Sequence, residues 1–396
     1  MTKISNMYPY LIFILFLTMT ISLNVQNSRE EPSYKDVSVD KVFKRVREHD
    51  FNPLNEENSM TMDASLGEEG IADLNDKDWE VRLLAVRDLI RAGNEQVKDI
   101  KSGLTDRSPH VRQISAKVLG VLRAESAIPE LEKIVRQDRI AMVRSQAVIA
   151  LGQMESKSSL ELLRKKVKED PSKDVRHQCE LAIDQIKKQM GATNKLREAF
   201  LSLDESTFET VQENEQAPDF VLEDTEGNEW QLNQFKNKKW VVLIWIFADW
   251  CPVCHGEFQD LMKMQEAFKK ANIQVFTLET HDIYRGRVMV GKELEPEYWF
   301  TDQSFRKTYT NKIWWPHLLD RAGAHAAKYG ADPLAYAVHA EYINRPATVI
   351  IDPKGEVRLI YRGTFWGDRP SIKQTLEMIR EEDFSYEHPQ RLKTNK

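Results

Sequence analysis

The sequence predicts a multidomain chain, an α-solenoid followed by an α/β fold that carries a helical insertion. Three observations point there. A Val-Arg pair recurs four times in the first half, at spacings of 30, 32 and 32 residues. Strand-like and helical patterns alternate in the second half, and a hairpin pattern closes them. Two cysteines separated by two residues stand where an apolar strand gives way to a helix.

The 396 residues suffice for two or three domains. Charged residues make up 30% of the chain, so most of it reads as soluble. The net charge of −6 is spread along the chain, and nothing suggests nucleic-acid binding. The three cysteines, Cys179, Cys251 and Cys254, are too few for a disulfide framework, which points to chemistry.

Residues 1–25 read as an export signal. Lys3 supplies a positive start, and Leu11 to Leu23 is almost wholly apolar or hydroxylic. This run is short for a membrane span and suits a signal-peptide core. Thr20-x-Ser22 is an acceptable cleavage site. The alternatives are an uncleaved membrane anchor and a cytoplasmic chain. No cysteine follows the apolar run, which argues against a lipoprotein anchor. The expectation is therefore an exported, periplasmic or secreted protein, or a membrane-anchored one, whose thiols a partner re-reduces. Residues 26–66 are polar and acidic and read as a linker, with a short helix near Val39 to Val46.

Residues 67–191 carry the repeat. Its pairs are Val81-Arg82, Val111-Arg112, Val143-Arg144 and Val175-Arg176. An aspartate precedes each valine by five residues: Asp76, Asp106, Asp138 and Asp170. A small residue follows each by four: Ala85, Ser115, Ala147 and Cys179. Leu119-Gly120 and Leu151-Gly152 close two units, and Ile128, Leu131, Ile134 and Val135 show helical spacing. Helix pairs that cannot bury their own faces stack on copies of themselves. These units resemble HEAT repeats of the short, lyase-type variety. The small residues let helices approach, the Asp and Arg link neighbouring loops, and Cys179 reads as a buried filler. A solenoid is more often a binding surface than an enzyme, so a protein partner is expected on it.

Residues 192–213 read as a helical linker and 214–384 as the second domain, with 385–396 a tail. Phe220 to Leu232 reads as a hairpin around Asp224-Thr225-Glu226-Gly227-Asn228. Val241 to Phe247 reads as a buried strand, and Ile273 to Leu278 as another. Ile343 to Asp352 leads into a third, and Pro353-Lys354-Gly355 turns into Val357 to Tyr361. A last helix spans about Ser371 to Glu381, after a segment Gly363 to Pro370 that fits a rim loop or a plain turn into the helix. Between about 280 and 343 an insertion carries Trp299, Trp314, Trp315, His317, His325 and His339, much of it helical, for example Leu318 to Tyr329.

The chemistry concentrates in Asp249-Trp250-Cys251-Pro252-Val253-Cys254-His255. Cys251 falls at a helix N-terminus, where unpaired N–H groups and the helix dipole favour a thiolate. Cys254 lies one turn in, within reach of a mixed disulfide.

These residues, with Ala217-Pro218-Asp219-Phe220, Pro346-Ala347-Thr348 and Ile351-Asp352-Pro353-Lys354-Gly355, resemble the thioredoxin-like domains grouped with alkyl hydroperoxide reductase and thiol-specific antioxidant proteins. The resemblance implies a thioredoxin-like fold, Cys251 as nucleophile, Cys254 as resolving thiol, and a cis Pro346 facing them. Trp250 and Pro346 would line the contact surface, and Pro252 would set the local environment. The implied activity is thiol–disulfide exchange on protein or small-molecule disulfides, without cofactor or metal.

Other readings compete. Aligned on Pro252-Val253-Cys254, Cys254 falls where peroxiredoxins carry their peroxide-attacking cysteine. Cys251 then replaces the family's threonine and Pro346 its arginine, with Arg345 adjacent as a substitute. Cys251-x-x-Cys254-His255 also satisfies the pattern for haem attachment, against its strand-to-helix setting. A structural zinc site would need a second cysteine pair. A non-enzymatic scaffold, worked by the solenoid, is the remaining class.

Overall fold

Three of the four repeat aspartates, Asp106, Asp138 and Asp170, are where the first half of the fold starts to be explained. The computed structural model describes residues 37–49, 51, 54, 79–293, 313–363 and 368–386. The export segment, most of the 26–66 linker, Asp76, Trp299, residues 364–367 and the end of the tail lie outside them. Helices span Val39–Glu48 (α1), Trp79–Ala92 (α2), Val97–Ser102 (α3), Pro109–Val121 (α4), Ile128–Gln137 (α5), Ala141–Gln153 (α6), Leu160–Glu169 (α7), Lys173–Lys188 (α8) and Asn194–Leu201 (α9). The Asp106, Asp138 and Asp170 carboxylates accept from the backbone N–H two residues on, turning the chain into α4, α6 and α8.

The arginines then tie the repeats together. Arg112 donates back to the Asp106 carbonyl (2.9 Å) and forward to both oxygens of Asp138 (2.6 and 3.0 Å). Arg144 repeats this with Asp138 O (2.9 Å) and the Asp170 carboxylate (3.1 and 2.8 Å). The expected Asp–Arg link is thus a ladder running from one repeat to the next. Ala85, Ser115, Ala147 and Cys179 are fully buried, as their shared position requires. A Cβ at Gly120 would sit 2.9 Å from Ala150 Cα, so glycine sets how closely α4 and α6 approach. α1 buries Val39, Val42, Phe43 and Val46 and pairs Arg45 with Asp88, so this part of the expected linker is a solenoid helix.

The second half contains strands Val221–Glu223 (β1) and Glu229–Gln231 (β2), Trp240–Trp245 (β3), helices Pro252–Lys263 (α10) and Gln265–Lys270 (α11), Ile273–Glu279 (β4), Ile283–Met289 (α12), His317–Leu319 (β5), Ala324–Tyr329 (α13), Tyr336–Val338 (β6), Glu341–Ile343 (β7), Ala347–Ile351 (β8), Val357–Arg362 (β9) and Ile372–Glu381 (α14). The central sheet has the order β5-β4-β3-β8-β9, with β5, β4 and β3 parallel and β8 and β9 antiparallel. Along β3, Val241, Leu243 and Trp245 join a core with Phe276 and Tyr329. Val242 and Ile244 join another with Phe258 and Leu261 of α10 and Ile379 of α14. Both faces are covered, which is why the strand reads as an unbroken apolar run.

The helix expected over Leu318 to Tyr329 is a strand followed by a short helix. Leu318 and Leu319 are buried in β5 against β4. Asp320 then caps α13, accepting from His325 N (3.0 Å) and Ala326 N (2.7 Å). Ala322 and Gly323, at φ of 60° and 69°, break any helix before it.

The described residues form one compact unit. Arg82, the first repeat's arginine, donates to the carbonyls of Leu334 (2.9 Å) and Ala335 (3.4 Å) ahead of β6. His339, at the β6–β7 turn, meets Asp174 of α8 at 3.0 Å. Tyr284 OH donates to the Leu181 carbonyl (3.0 Å), and Thr193 Oγ1 to Asp282 (3.0 Å). The inner helices of the solenoid therefore hold the insertion of the α/β part.

Candidate active site

β3 and β8 run antiparallel with Trp245 opposite Ala347, so the exit of β3 and the start of β8 share one end of the sheet. Ile246 N still donates to the Leu278 carbonyl, after which the chain leaves the sheet and turns into α10. Cys251 is the N-cap of that helix and Pro252 its first residue, a position that needs no N–H. Cys251 and Cys254 are free thiols, and both are completely buried.

The Cys251 thiol hydrogen-bonds Cys254, and Phe247 N–H donates to the Cys254 sulfur at 3.3 Å. The guanidinium of Arg369 lies 3.6 Å from that sulfur and is held there by Glu257 (2.6 Å) and the Trp245 carbonyl (2.5 Å). Burial pushes Cys254 up, but the Cys251 hydrogen bond, the Arg369 charge and the Phe247 N–H outweigh it and bring the thiol well below its ordinary value. Burial raises Cys251, and its hydrogen bond to Cys254 raises it further. The thiol that the site lowers is therefore Cys254 and not the expected Cys251, because Phe247 N–H, Arg369 and the Cys251 thiol all converge on the second sulfur. Burial also raises Glu257, to about 8, against the pull of Arg369.

A second layer covers the motif. Asp249 is bound by Arg285 through Nε (2.8 Å) and Nη2 (2.5 Å). Arg285 also donates to both oxygens of Glu341 (3.1 Å each), and Glu341 accepts from Trp250 Nε1 (2.5 Å). Trp250 is 1% exposed, with His339 edge-on at 4.7 Å and Phe247 at 5.8 Å. The β6–β7 hairpin thus closes over Trp250, and α8 holds the hairpin through Asp174. Trp250, expected to line the contact surface, is enclosed by Glu341 and His339.

Pro346 is buried at the start of β8, and its carbonyl accepts from Gly363 N (2.8 Å). Arg345 pairs with Asp332 at 3.0 Å, so the arginine that meets the thiol is Arg369 and not Arg345. His255 is buried, with Nε2 2.8 Å from the Asp249 carbonyl. Cys179 is buried in α8, where burial raises its thiol far above the ordinary value. Arg369, Glu257, Arg285 and Glu341 were not singled out from the sequence. Arg369 stands in the Gly363–Pro370 segment, whose pattern fits a turn before α14 equally well; an arginine next to a proline there was the available signal.

The AhpC/TSA family model matches residues 214–360, and HEAT repeats match 70–152, 100–184 and 128–209. The thiol-disulfide oxidoreductase ResA of Geobacillus thermodenitrificans is 28% identical over 164 residues, 41% of this chain and 76% of that protein. ResA of Bacillus subtilis is 26% identical over 156 residues, 39% and 70% of the two chains. A peroxiredoxin of Methanosarcina mazei is 29% identical over 145 residues, 36% and 61% of the two. The reduced 2-Cys peroxiredoxin of Plasmodium vivax superposes with a TM-score of 0.35 at 20% identity, covering 43% of this chain and 96% of that one.

Proposed function

We propose that this oxidoreductase, an AhpC/TSA redoxin domain behind HEAT repeats, is a thiol–disulfide oxidoreductase that works through Cys251 and Cys254. The observation that carries the reading is the hydrogen bond between the two thiols, one helical turn apart. Their shared proton lets either sulfur take the charge. When it moves to Cys254, the Cys251 thiolate attacks a substrate disulfide, forms a mixed disulfide and releases one substrate thiolate. Cys254 then gives up its proton and attacks Cys251, releasing the second substrate thiol. A Cys251–Cys254 bond remains, and two electrons have passed to the substrate. The reverse sequence oxidises a dithiol. Re-reduction by an extracytoplasmic partner, if the Leu11–Leu23 run directs export, and a protein partner on the outer helices α5 and α7 belong to the same proposal.

One observation favours a second reading, peroxide reduction. The Cys254 thiol is buried, next to Arg369 and lowered by it, which suits a small oxidant better than a protein strand. Here Cys254 would attack the O–O bond, become a sulfenic acid and release water or alcohol. Cys251 would then condense with it, releasing water.

The full reduced chain is mixed with a protein disulfide and, separately, with hydrogen peroxide, and its products are resolved by mass spectrometry. Disulfide exchange predicts a Cys251–Cys254 bond with Cys179 still free. It predicts a trapped mixed disulfide in Cys254→Ser and no reaction in Cys251→Ser. Rapid peroxide consumption that survives Cys251→Ser, stops at a sulfenic acid and is lost in Cys254→Ser would replace this reading with the second.

A further inference from the structure

Between the inner solenoid helices and the α/β insertion lies a cavity of about 80 Å³, several times what one water needs. Lys117 of α4 lines it. Among the described residues its ammonium makes no hydrogen bond or ion pair, and its neighbour is the face of Phe200, 6.0 Å away. Glu341 lines the cavity too, but both its oxygens are taken by Arg285 and Trp250. Gln146 also lines it and is 4% exposed. Its Oε1 accepts from Gln113, whereas its Nε2 has no acceptor among the described residues. Lys117 stands one turn on from Gln113, so the ammonium and the amide lie along the same seam of α4 and α6.

Two donors without acceptors, Lys117 and Gln146, stand in this wall beside one acceptor without a donor, Gln153 Oε1, and the unpaired positive charge decides the complement. We propose that this cavity binds a small organic carboxylate, with its head on Lys117 and Gln146 and its apolar body against Leu83, Val121, Leu196 and Phe200. One ammonium and one amide match the two oxygens of a monoanion, whereas a phosphate dianion would need more cations. An amine would meet Lys117 and Arg285. Burial lowers Lys117 to about 8, with Glu341 acting to raise it and Arg285 to lower it, so a bound anion would reinforce its charge. His281, on the same wall, is held neutral-leaning by burial and by Arg285.

Calorimetric titration of the full reduced chain tests this, with hexanoate and benzoate as probes and hexanol and benzyl alcohol as their neutral counterparts. Saturable binding of at least one acid at one site per chain is expected, tighter than its alcohol. Lys117→Met should weaken it roughly tenfold or more, the loss of one charged hydrogen bond. Ile149→Trp, which fills the cavity from α6, should abolish it. The proposal fails if neither acid saturates, if an alcohol binds as well as its acid, or if Ile149→Trp leaves acid affinity unchanged. Should Lys117→Met not fold, as a thermal melt would reveal, the acid-over-alcohol preference and the Ile149→Trp result still decide.

Discussion

A guanidinium 3.6 Å from a buried sulfur alters which of two neighbouring cysteines ionises. The spacing of Cys251 and Cys254 was legible, because a two-residue gap at a strand-to-helix turn is a local pattern. The placement of the charge was not, because Arg369 arrives from more than a hundred residues downstream and Phe247 N–H from the strand exit. The lowered Cys254 value keeps its thiolate present at neutral pH and removes it on acidification. Arg369→Met takes away a stabilising charge while leaving burial in place, so the midpoint must move to higher pH. An upward shift of at least about one unit is expected, a tenfold loss of thiolate on the acid side of the new midpoint. Arg369→Lys should recover part of it, since a lysine keeps the charge but lacks the fork that also reaches Glu257 and Trp245 O. Thiolate ultraviolet absorbance of the reduced chain against pH measures this directly. An unchanged midpoint in Arg369→Met would return the effect to Cys251 and the Phe247 N–H.

At the scale of the element, the repeat was legible because each solenoid unit solves the same local problem. In the units that begin at Asp106 and Asp138, an aspartate turns the chain, a small residue admits the next helix, and an arginine reaches the following aspartate. The pairing of Arg144 with Asp170 is the most enclosed step of that ladder, at 5% and 0% side-chain exposure. Asp170 also caps the turn into α8 through Ser172 N. Asp170→Ala should therefore cost about 3–5 kcal/mol, since it strands a buried guanidinium. Lys44→Ala, at a pair that is 70% and 65% exposed, should leave stability almost unchanged. Chemical denaturation of both variants makes the comparison, and equal midpoints would show the ladder to be ornamental. Periodicity failed over Leu318 to Tyr329 for a related reason. A three-residue strand at a sheet edge is too short to display a period, and the caps supplied by Asp320 depend on where Trp245 and α13 meet.

On the scale of the whole molecule, both halves were legible in the sequence, but their closure over the cysteines was not. The closing contacts of Arg82 use carbonyl oxygens of Leu334 and Ala335, and an acceptor that every residue possesses leaves no mark in a sequence. Arg82 shows the economy of the arrangement. It occupies the ladder position of its repeat, yet donates into the segment ahead of β6 and lies 4.3 Å above the Tyr342 ring. With Asp174 holding His339 at the other end of the hairpin, the solenoid braces the segment that covers Trp250. Reagents that cannot enter a closed site must wait for a local opening. In the native reduced chain, alkylation of Cys251 and Cys254 should be slow, and Arg82→Met should speed it by roughly tenfold or more through the loss of charged hydrogen bonds. Cys179, buried within α8, supplies an internal clock for unfolding of the solenoid itself. Mass spectrometry of the labelled peptides separates the cases. Faster labelling of Cys251 and Cys254 with Cys179 unchanged means that the hairpin gates the site. Equal acceleration at all three cysteines means that Arg82 supports the fold as a whole, and no acceleration means that the hairpin holds without it.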